Sequence, residues 1–164
     1  MSKEQKIGAF ELFAGGEPTV GGGLSTGSNG TDDPALVASR RRSIVIIEDN
    51  RDTAKALQVL VSVMGGEAHV AHDGLSGLSV IREVRPGLVF VDIGLPDIDG
   101  YEVCRNIRRE PFGTAMTVIA ISGWGAQEDK RRATEAGFDA HLTKPPDVAE
   151  LQKYIAGLLL ATSE

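Results

Sequence analysis

The sequence predicts a doubly wound α/β domain in which five β–α units surround a parallel five-stranded sheet. From Ser43 onward, short β-branched runs alternate with segments of helical periodicity, which is typical of βαβ units. The first, third and fourth runs are nearly continuous in Ile and Val, as expected of strands that helices cover on both faces. Both observations favour an open parallel sheet between two layers of helices.

The segments expected to form strands are short, and the two most polar ones suit the edges of the sheet. They are residues 43–48, 67–71, 87–93, 116–122 and 138–143. The second and fifth are the polar ones, whereas the other three are typical of buried central strands. With one reversal of the winding direction, strands one, three and four can lie side by side between these two edge strands, and we expect the order 2-1-3-4-5.

Five helices are expected, because apolar residues recur with a period of 3.6 between and after the strands. They cover residues 52–64, 74–85, 99–110, 125–136 and 146–160. Asp99 is placed to cap the third helix, and Gly137 ends the fourth. Cys104 lies on the apolar face of the third helix, where we expect a core thiol.

The first 42 residues are expected to be a flexible, glycine-rich tail or linker, and residues 43–164 to form the domain. Residues 14–30 carry seven glycines and few large apolar side chains, so burial there cannot offset the entropy lost on ordering. Residues 7–13 place three apolar side chains on one face of a short helix, a length that is marginal by itself in water.

Composition excludes several classes of protein. The formal charge of −6 argues against a surface made for nucleic acid or anionic lipid. The one cysteine excludes a disulfide framework or a thiolate metal site and fits a reducing cytoplasm. No apolar run approaches the roughly 20 residues that span a bilayer. We therefore expect a cytoplasmic protein with no nucleic-acid partner and no membrane insertion.

Acidic side chains end the first and third strands, at the edge where open parallel sheets bind ligands. Glu48 and Asp49 follow strand one and Asp92 ends strand three, so the expected strand order brings three carboxylates into one pocket. At about 5 Å and an effective dielectric constant near 20, each like-charge pair costs roughly 3 kcal/mol. A divalent cation would resolve this repulsion, and ligands that are all oxygen favour Mg²⁺ or Mn²⁺.

Hydroxyl and ammonium groups end strands four and five at the same edge. These groups belong to Ser122 and Lys144, and they suit a phosphoryl anion held against the metal. Asp92 is the best candidate to attack phosphorus, because it ends the most continuously apolar strand. Gly94 offers a carbonyl without side-chain obstruction as a further metal ligand.

These strand ends resemble the receiver domain of two-component response regulators, a CheY-like, flavodoxin-like fold. The similar motifs are 44-IVIIEDN-50, 89-VFVDIGLPDIDG-100, 118-VIAISGWG-125 and 141-HLTKPP-146. The resemblance covers about residues 43–160. It is specific, because the spacings of 30 residues from Asp92 to Ser122 and of 52 residues from Asp92 to Lys144 are those of the family.

The resemblance implies a role for each residue of the pocket. Asp92 would be the phosphorylated aspartate, Asp49 the direct Mg²⁺ ligand, Glu48 an acid of the outer coordination sphere, Gly94 the carbonyl ligand, Ser122 the switch hydroxyl, and Lys144 the partner of the phosphoryl group. The Lys144–Pro145 bond is expected to be cis, as in the family. Trp124 would lie at the rim of the pocket and shield the aspartyl phosphate from water.

Two positions depart from the family pattern. His141 stands at the switch position of strand five, where the family usually has Tyr or Phe, and Pro146 stands where a small apolar residue is common. Switching is therefore expected to differ in detail. The run from residue 122 to 145 resembles the receivers of hybrid histidine kinases, and the chain as a whole resembles these or stand-alone receivers.

The implied function is that of a phosphoacceptor in a phosphorelay, which catalyses only its own phosphorylation and dephosphorylation. Its partners would be a sensor histidine kinase or histidine phosphotransfer protein and a downstream protein target. One alternative is a metal-dependent phosphohydrolase with an aspartyl nucleophile, although Gly94 stands where that class needs a second Asp. A flavodoxin-like FMN protein is disfavoured because Glu48 and Asp49 would repel the phosphate. A degenerate receiver that only docks is disfavoured by the retained pocket residues.

Overall fold

The computed structural model of the protein describes residues 33–123 and 127–163, which form a parallel sheet with helices on both faces. The strands are β1 (Ser43–Ile47), β2 (Glu67–Ala71), β3 (Leu88–Asp92), β4 (Thr117–Ser122) and β5 (Ala140–Thr143). They lie in the order β2-β1-β3-β4-β5, and every neighbouring pair is parallel. The predicted fold class and strand order are confirmed.

Six α-helices lie within the described residues, and the last five correspond to the predicted ones. They are α1 (Pro34–Arg42), α2 (Arg51–Val63), α3 (Gly74–Val84), α4 (Gly100–Arg109), α5 (Gln127–Ala136) and α6 (Val148–Ala161), with a 3₁₀ helix over Gly113–Ala115 before β4. None of the helices in this part of the chain has the length and apolar character needed to cross a bilayer. The expected helix over residues 7–13, the glycine-rich run and Trp124 lie outside the described residues.

Helix α1 corrects the expectation that the flexible tail extends to residue 42. The Asp33 side chain caps it by accepting a hydrogen bond from the Ala35 N–H (3.0 Å), and Pro34 stands in its first turn. Three arginines in the last turn are favoured there by the helix dipole. No residue of α1 is buried, so the sequence shows no amphipathic pattern there, and the capping residues Asp33 and Pro34 are the local signals of this helix.

Side chains of the central strands alternate between two apolar layers. In β1, Val45 and Ile47 face the layer formed with α3, α4 and α5, whereas Ile44 and Ile46 face α2 and α6. Every residue of β1 and β3 is buried, as predicted for strands covered on both faces. Cys104 is fully buried in the first layer, and burial raises the pKa of its thiol to about 11, which confirms a core thiol.

The guanidinium of Arg108 in α4 joins several elements at the side of the sheet. Its Nε and Nη2 atoms donate to the Gly137 carbonyl at 2.9 and 2.7 Å. Its Nη1 atom donates to the carbonyls of Gly113 (2.7 Å) and Met116 (2.8 Å). Nη2 also pairs with the Asp139 carboxylate at 2.8 Å. One half-buried side chain thus ties α4 to the segments that precede β4 and β5.

Candidate functional site

Three carboxylates meet where β1 and β3 end. Ile47 of β1 pairs with Val91 of β3, so the residues that follow them, Glu48 and Asp92, stand side by side. One carboxylate oxygen each of Glu48, Asp49 and Asp92 lies within 4.8 Å of the others. Glu48 and Asp92 are buried, at 2% and 6% exposure, whereas Asp49 is exposed. The structure thus brings together the three acids that the sequence placed in one pocket.

Lys144 lies between the two buried carboxylates. Its Nζ atom is 2.8 Å from Glu48 Oε2 and 3.1 Å from Asp92 Oδ2. The side chain comes from the loop after β5, and the Lys144–Pro145 bond is cis, as expected. Three carboxylates against one ammonium leave two formal negative charges in the pocket, the amount that one divalent cation neutralises.

Burial and these contacts shift the pKa values of Glu48 and Lys144. Burial raises the pKa of Glu48, and the charge of Asp92 acts in the same direction. Hydrogen bonds from Lys144 and from the Asn50 N–H (3.0 Å) oppose the rise without cancelling it. For Lys144, burial acts to lower the pKa, but its bonds to Glu48 and Asp92 outweigh burial and raise it.

Gly94 holds the carboxylate of Asp92 from the loop after β3. Its N–H donates to Asp92 Oδ1 at 3.0 Å. A Cβ atom at position 94 would lie 3.8 Å from the same oxygen, which is ordinary van der Waals contact. The site therefore has no steric need for glycine at this position. The role of the Gly94 carbonyl as a metal ligand stays a prediction.

Ser122 and His141 form a hydrogen-bonded pair beside the acidic pocket. Ser122 ends β4 and is buried, and its Oγ lies 2.8 Å from Nε2 of His141 on β5. Burial lowers the pKa of His141, the charge of Lys130 lowers it further, and Asp129 acts in the opposite direction. Nδ1 of the imidazole is buried and has no hydrogen-bond partner within the described residues. The environment thus favours neutral imidazole.

His72 contacts the backbone of the pocket, a role that the sequence reading missed. Its Nδ1 lies 2.9 Å from the Glu48 carbonyl oxygen, while the Glu48 N–H donates to the Ala71 carbonyl at 3.0 Å. Together these bonds fix the chain where β1 ends. The position of His72 directly after β2, next to β1 in the predicted order, was the available signal.

Asp97 joins the loop after β3 to another helix. Its carboxylate accepts hydrogen bonds from the N–H groups of Gly74 and Leu75, both at 2.8 Å, at the start of α3. Desolvation acts to raise the pKa of the exposed Asp97 carboxylate, but these bonds outweigh it and lower the pKa. A Cβ at position 74 would lie 2.5 Å from Cγ1 of Ile98, so only glycine allows this close approach.

Comparison with known proteins identifies the family. Residues 44–156 match the family model of the response regulator receiver domain. The chain belongs to this family. The receiver is 30% identical over 118 residues to the polar-differentiation response regulator DivK of Brucella anthropi. This alignment covers 72% of this chain and 96% of DivK.

Two further relatives show the contexts in which similar receivers occur. The chain is 30% identical to the DNA-binding dual master transcriptional regulator RpaA of Synechocystis sp., over 73% of this chain and only 49% of RpaA. The signal receiver domain of a histidine kinase from Syntrophus aciditrophicus is 27% identical, with a TM-score of 0.66 over 73% of this chain and 90% of that one. The receiver thus spans about half the length of a relative such as RpaA. It is a receiver domain of a two-component system, as its motifs predicted.

Proposed function

We propose that Asp92 is the phosphoacceptor of this receiver and takes its phosphoryl group from a phosphohistidine of a sensor histidine kinase or a histidine phosphotransfer protein. The observation that carries the proposal is the position of its carboxylate. It is buried at the end of β3, 3.1 Å from the Lys144 ammonium and beside two further acids. In the transfer, an Asp92 oxygen bonds to phosphorus while the P–N bond of the donor breaks, and the electron pair of that bond stays on the imidazole nitrogen.

The pocket fits Mg²⁺, with Mn²⁺ as its chemical neighbour. Glu48, Asp49 and Asp92 place carboxylate oxygens within 4.8 Å of one another, and Lys144 leaves two of their negative charges uncompensated. The Gly94 carbonyl would complete the protein ligands. When bound, the cation would supply positive charge to the phosphoryl oxygens. In the same pocket, the Lys144 ammonium contacts both Glu48 and Asp92 and would offer its positive charge to the incoming anion.

Ser122 and His141 form the proposed switch. A phosphoryl group on Asp92 offers acceptor oxygens to the Ser122 hydroxyl, which lies 2.8 Å from Nε2 of His141 in this structure. Turning the hydroxyl toward the phosphoryl group breaks or reverses that hydrogen bond and releases the imidazole. The freed imidazole can then reorient and remodel the surface around β5, which a protein target would read.

The proposal is a signalling role without turnover of a separate substrate. The alternative phosphohydrolase needs a second acid two residues after the nucleophile, and that position holds Gly94, whose N–H binds Asp92 instead. A degenerate docking module would have no use for Lys144 positioned between Glu48 and Asp92.

Intact-mass measurement after incubation with acetyl phosphate and Mg²⁺ tests the assignment. We expect one added phosphoryl group in the parent protein and none in Asp92→Asn. Asp52→Asn is the matched control, because Asp52 is an exposed acid in the first turn of α2 and lies outside the acidic cluster. Full labelling of Asp92→Asn would place the phosphoacceptor elsewhere.

A further inference from the structure

A half-open cavity of about 540 Å³ lies at the amino-terminal ends of β3 and β4, the sheet edge opposite to the acidic pocket. Its volume is in the range of sites for small molecules. The end of α1, the connection before β3, the 3₁₀ region before β4 and the second half of α6 form its walls.

The walls combine apolar side chains with positive charge. The largest apolar side chains of the lining are Pro86, Leu88, Phe112, Met116, Tyr154 and Leu158. Arg41, Arg85 and Lys153 are the charged residues of the lining, and no Asp or Glu of the described chain accompanies them. A chain with a formal charge of −6 thus places three cations, and no acid, around one apolar cavity.

These cations have no carboxylate partners in the described parts of the chain. The guanidinium of Arg85 stacks over Phe112, 4.9 Å from the ring centroid, and the ammonium of Lys153 lies 5.8 Å from the centroid of Tyr154. Arg41, Arg85 and Lys153 form no ion pair between residues 33 and 123 or between 127 and 163. Their charge is therefore available to an anion that enters the cavity.

Gly157 stands in the cavity wall at a position where no contact requires a glycine. It lies inside α6, and a Cβ added to it would meet no atom within 4 Å. Glycine weakens a helix relative to alanine, so a larger residue here has room beside the cavity and a favourable effect on the helix. At Gly87 the reverse holds, because a Cβ there would lie 2.6 Å from the Arg41 carbonyl oxygen. Gly87 therefore permits the close approach of the end of α1, which forms one wall of the cavity.

Some of the cavity walls lie outside the residues that the family model matches. Residues 44–156 match the receiver model, whereas Arg41 precedes this range and Gly157, Leu158 and Ala161 follow it. The cavity therefore includes side chains on both sides of the matched range.

We propose that this cavity binds a small organic carboxylate with an apolar body. The carboxylate would lie among Arg41, Arg85 and Lys153, and the body against Phe112, Met116 and Leu158. The inference is independent of the phosphoryl transfer proposed for Asp92, since the two sites share no residue.

Isothermal titration calorimetry with octanoate tests the role of charge, with 1-octanol as the neutral control of equal chain length. We expect saturable binding of one octanoate, and binding of octanol weaker by about fivefold. Arg85→Gln and Lys153→Gln should each weaken octanoate binding by about two- to fivefold. Absence of saturable octanoate binding, or equal binding of the two probes, would overturn the proposal.

Substitutions of Gly157 test whether octanoate binds in this cavity. Gly157→Leu should fill the cavity and abolish octanoate binding, while the melting temperature measured by circular dichroism stays the same or rises. Gly157→Ala is the matched control, because it gives the same gain in helix propensity with one small methyl group and should retain binding. If Gly157→Leu binds octanoate as the parent protein does, the site lies elsewhere and the proposal is wrong.

Discussion

The two edges of the sheet differ in sign of charge although the same strands connect them. At the carboxyl edge, buried acids surround a single ammonium, whereas at the amino edge three cations surround an apolar cavity. The five buried residues of β3 separate these edges by about 16 Å, more than a Debye length in physiological salt. The comparison teaches that one parallel sheet can hold opposite electrostatic environments on either side of its apolar centre, because distance and the salt around the exposed side chains weaken the interaction between the two edges.

The largest expected effect comes from breaking that apolar centre. Phe90 is fully buried in the middle of β3, and Phe90→Ala would leave a cavity that costs about 3–5 kcal/mol of unfolding free energy. Urea unfolding followed by circular dichroism measures this cost. Both edges of the sheet should unfold together. A decrease in unfolding free energy of less than about 1 kcal/mol would show that this core does not stabilise the two edges.

Addition of Mg²⁺ should affect the carboxyl edge alone. A cation bound only by the folded state stabilises it by about 2.7 kcal/mol at 100 times its dissociation constant. The melting temperature should therefore rise with Mg²⁺, and Asp49→Ala should remove most of the rise. Lys153→Ala at the opposite edge is the control and should respond as the parent does. An undiminished response in Asp49→Ala would place the metal outside the pocket.

Removing the carboxylate of Asp97 tests how much its hydrogen bonds to the start of α3 stabilise the acidic edge of the sheet. Asp97→Ala leaves the N–H groups of Gly74 and Leu75 without this partner and should cost about 1 kcal/mol. Because the folded-state pKa of Asp97 lies below its ordinary value of 3.8, this stability is present above that pH and is lost as pH falls through the folded value. Denaturant titrations from pH 7 to 2 should show the two proteins converging in acid. A constant difference would contradict the role of the ionised carboxylate.

The smallest effect concerns the pair formed by Ser122 and His141. The folded-state pKa of His141 lies below 6.5. The contribution of the neutral imidazole to the free energy of unfolding is therefore fully present above pH 6.5 and is lost as pH falls through the folded-state pKa. The spectral change on adding beryllofluoride should weaken over the same range. His141→Phe should keep the response and lose this pH dependence. Identical profiles for the two proteins between about pH 5.5 and 8 would exclude His141 from the switch.

Most of the sheet and its acidic edge could be predicted, because buried strands and helices show recognisable patterns of apolar residues in the sequence. The Ile and Val runs of β1 and β3 identified central strands, and strand order then placed Glu48 beside Asp92. Contacts that depend on how a loop folds left no such record. The bonds from Asp97 to the start of α3 join residues 22 and 23 positions apart, which no local pattern reveals. Helix α1 was missed because it buries no side chain.

Arg108 has a consequence for the kinetics of folding. Its guanidinium binds carbonyls 5 and 8 residues away, but also partners 29 and 31 residues away that stand in position only when β4 and α5 have docked. The complete set of bonds can form only after the chain between α4 and β5 has crossed the sheet, and we expect this to follow the transition state. Interactions absent from the transition state act mainly on the unfolding rate. Arg108 is thus expected to slow the escape from the native state while leaving the rate of reaching it almost unchanged.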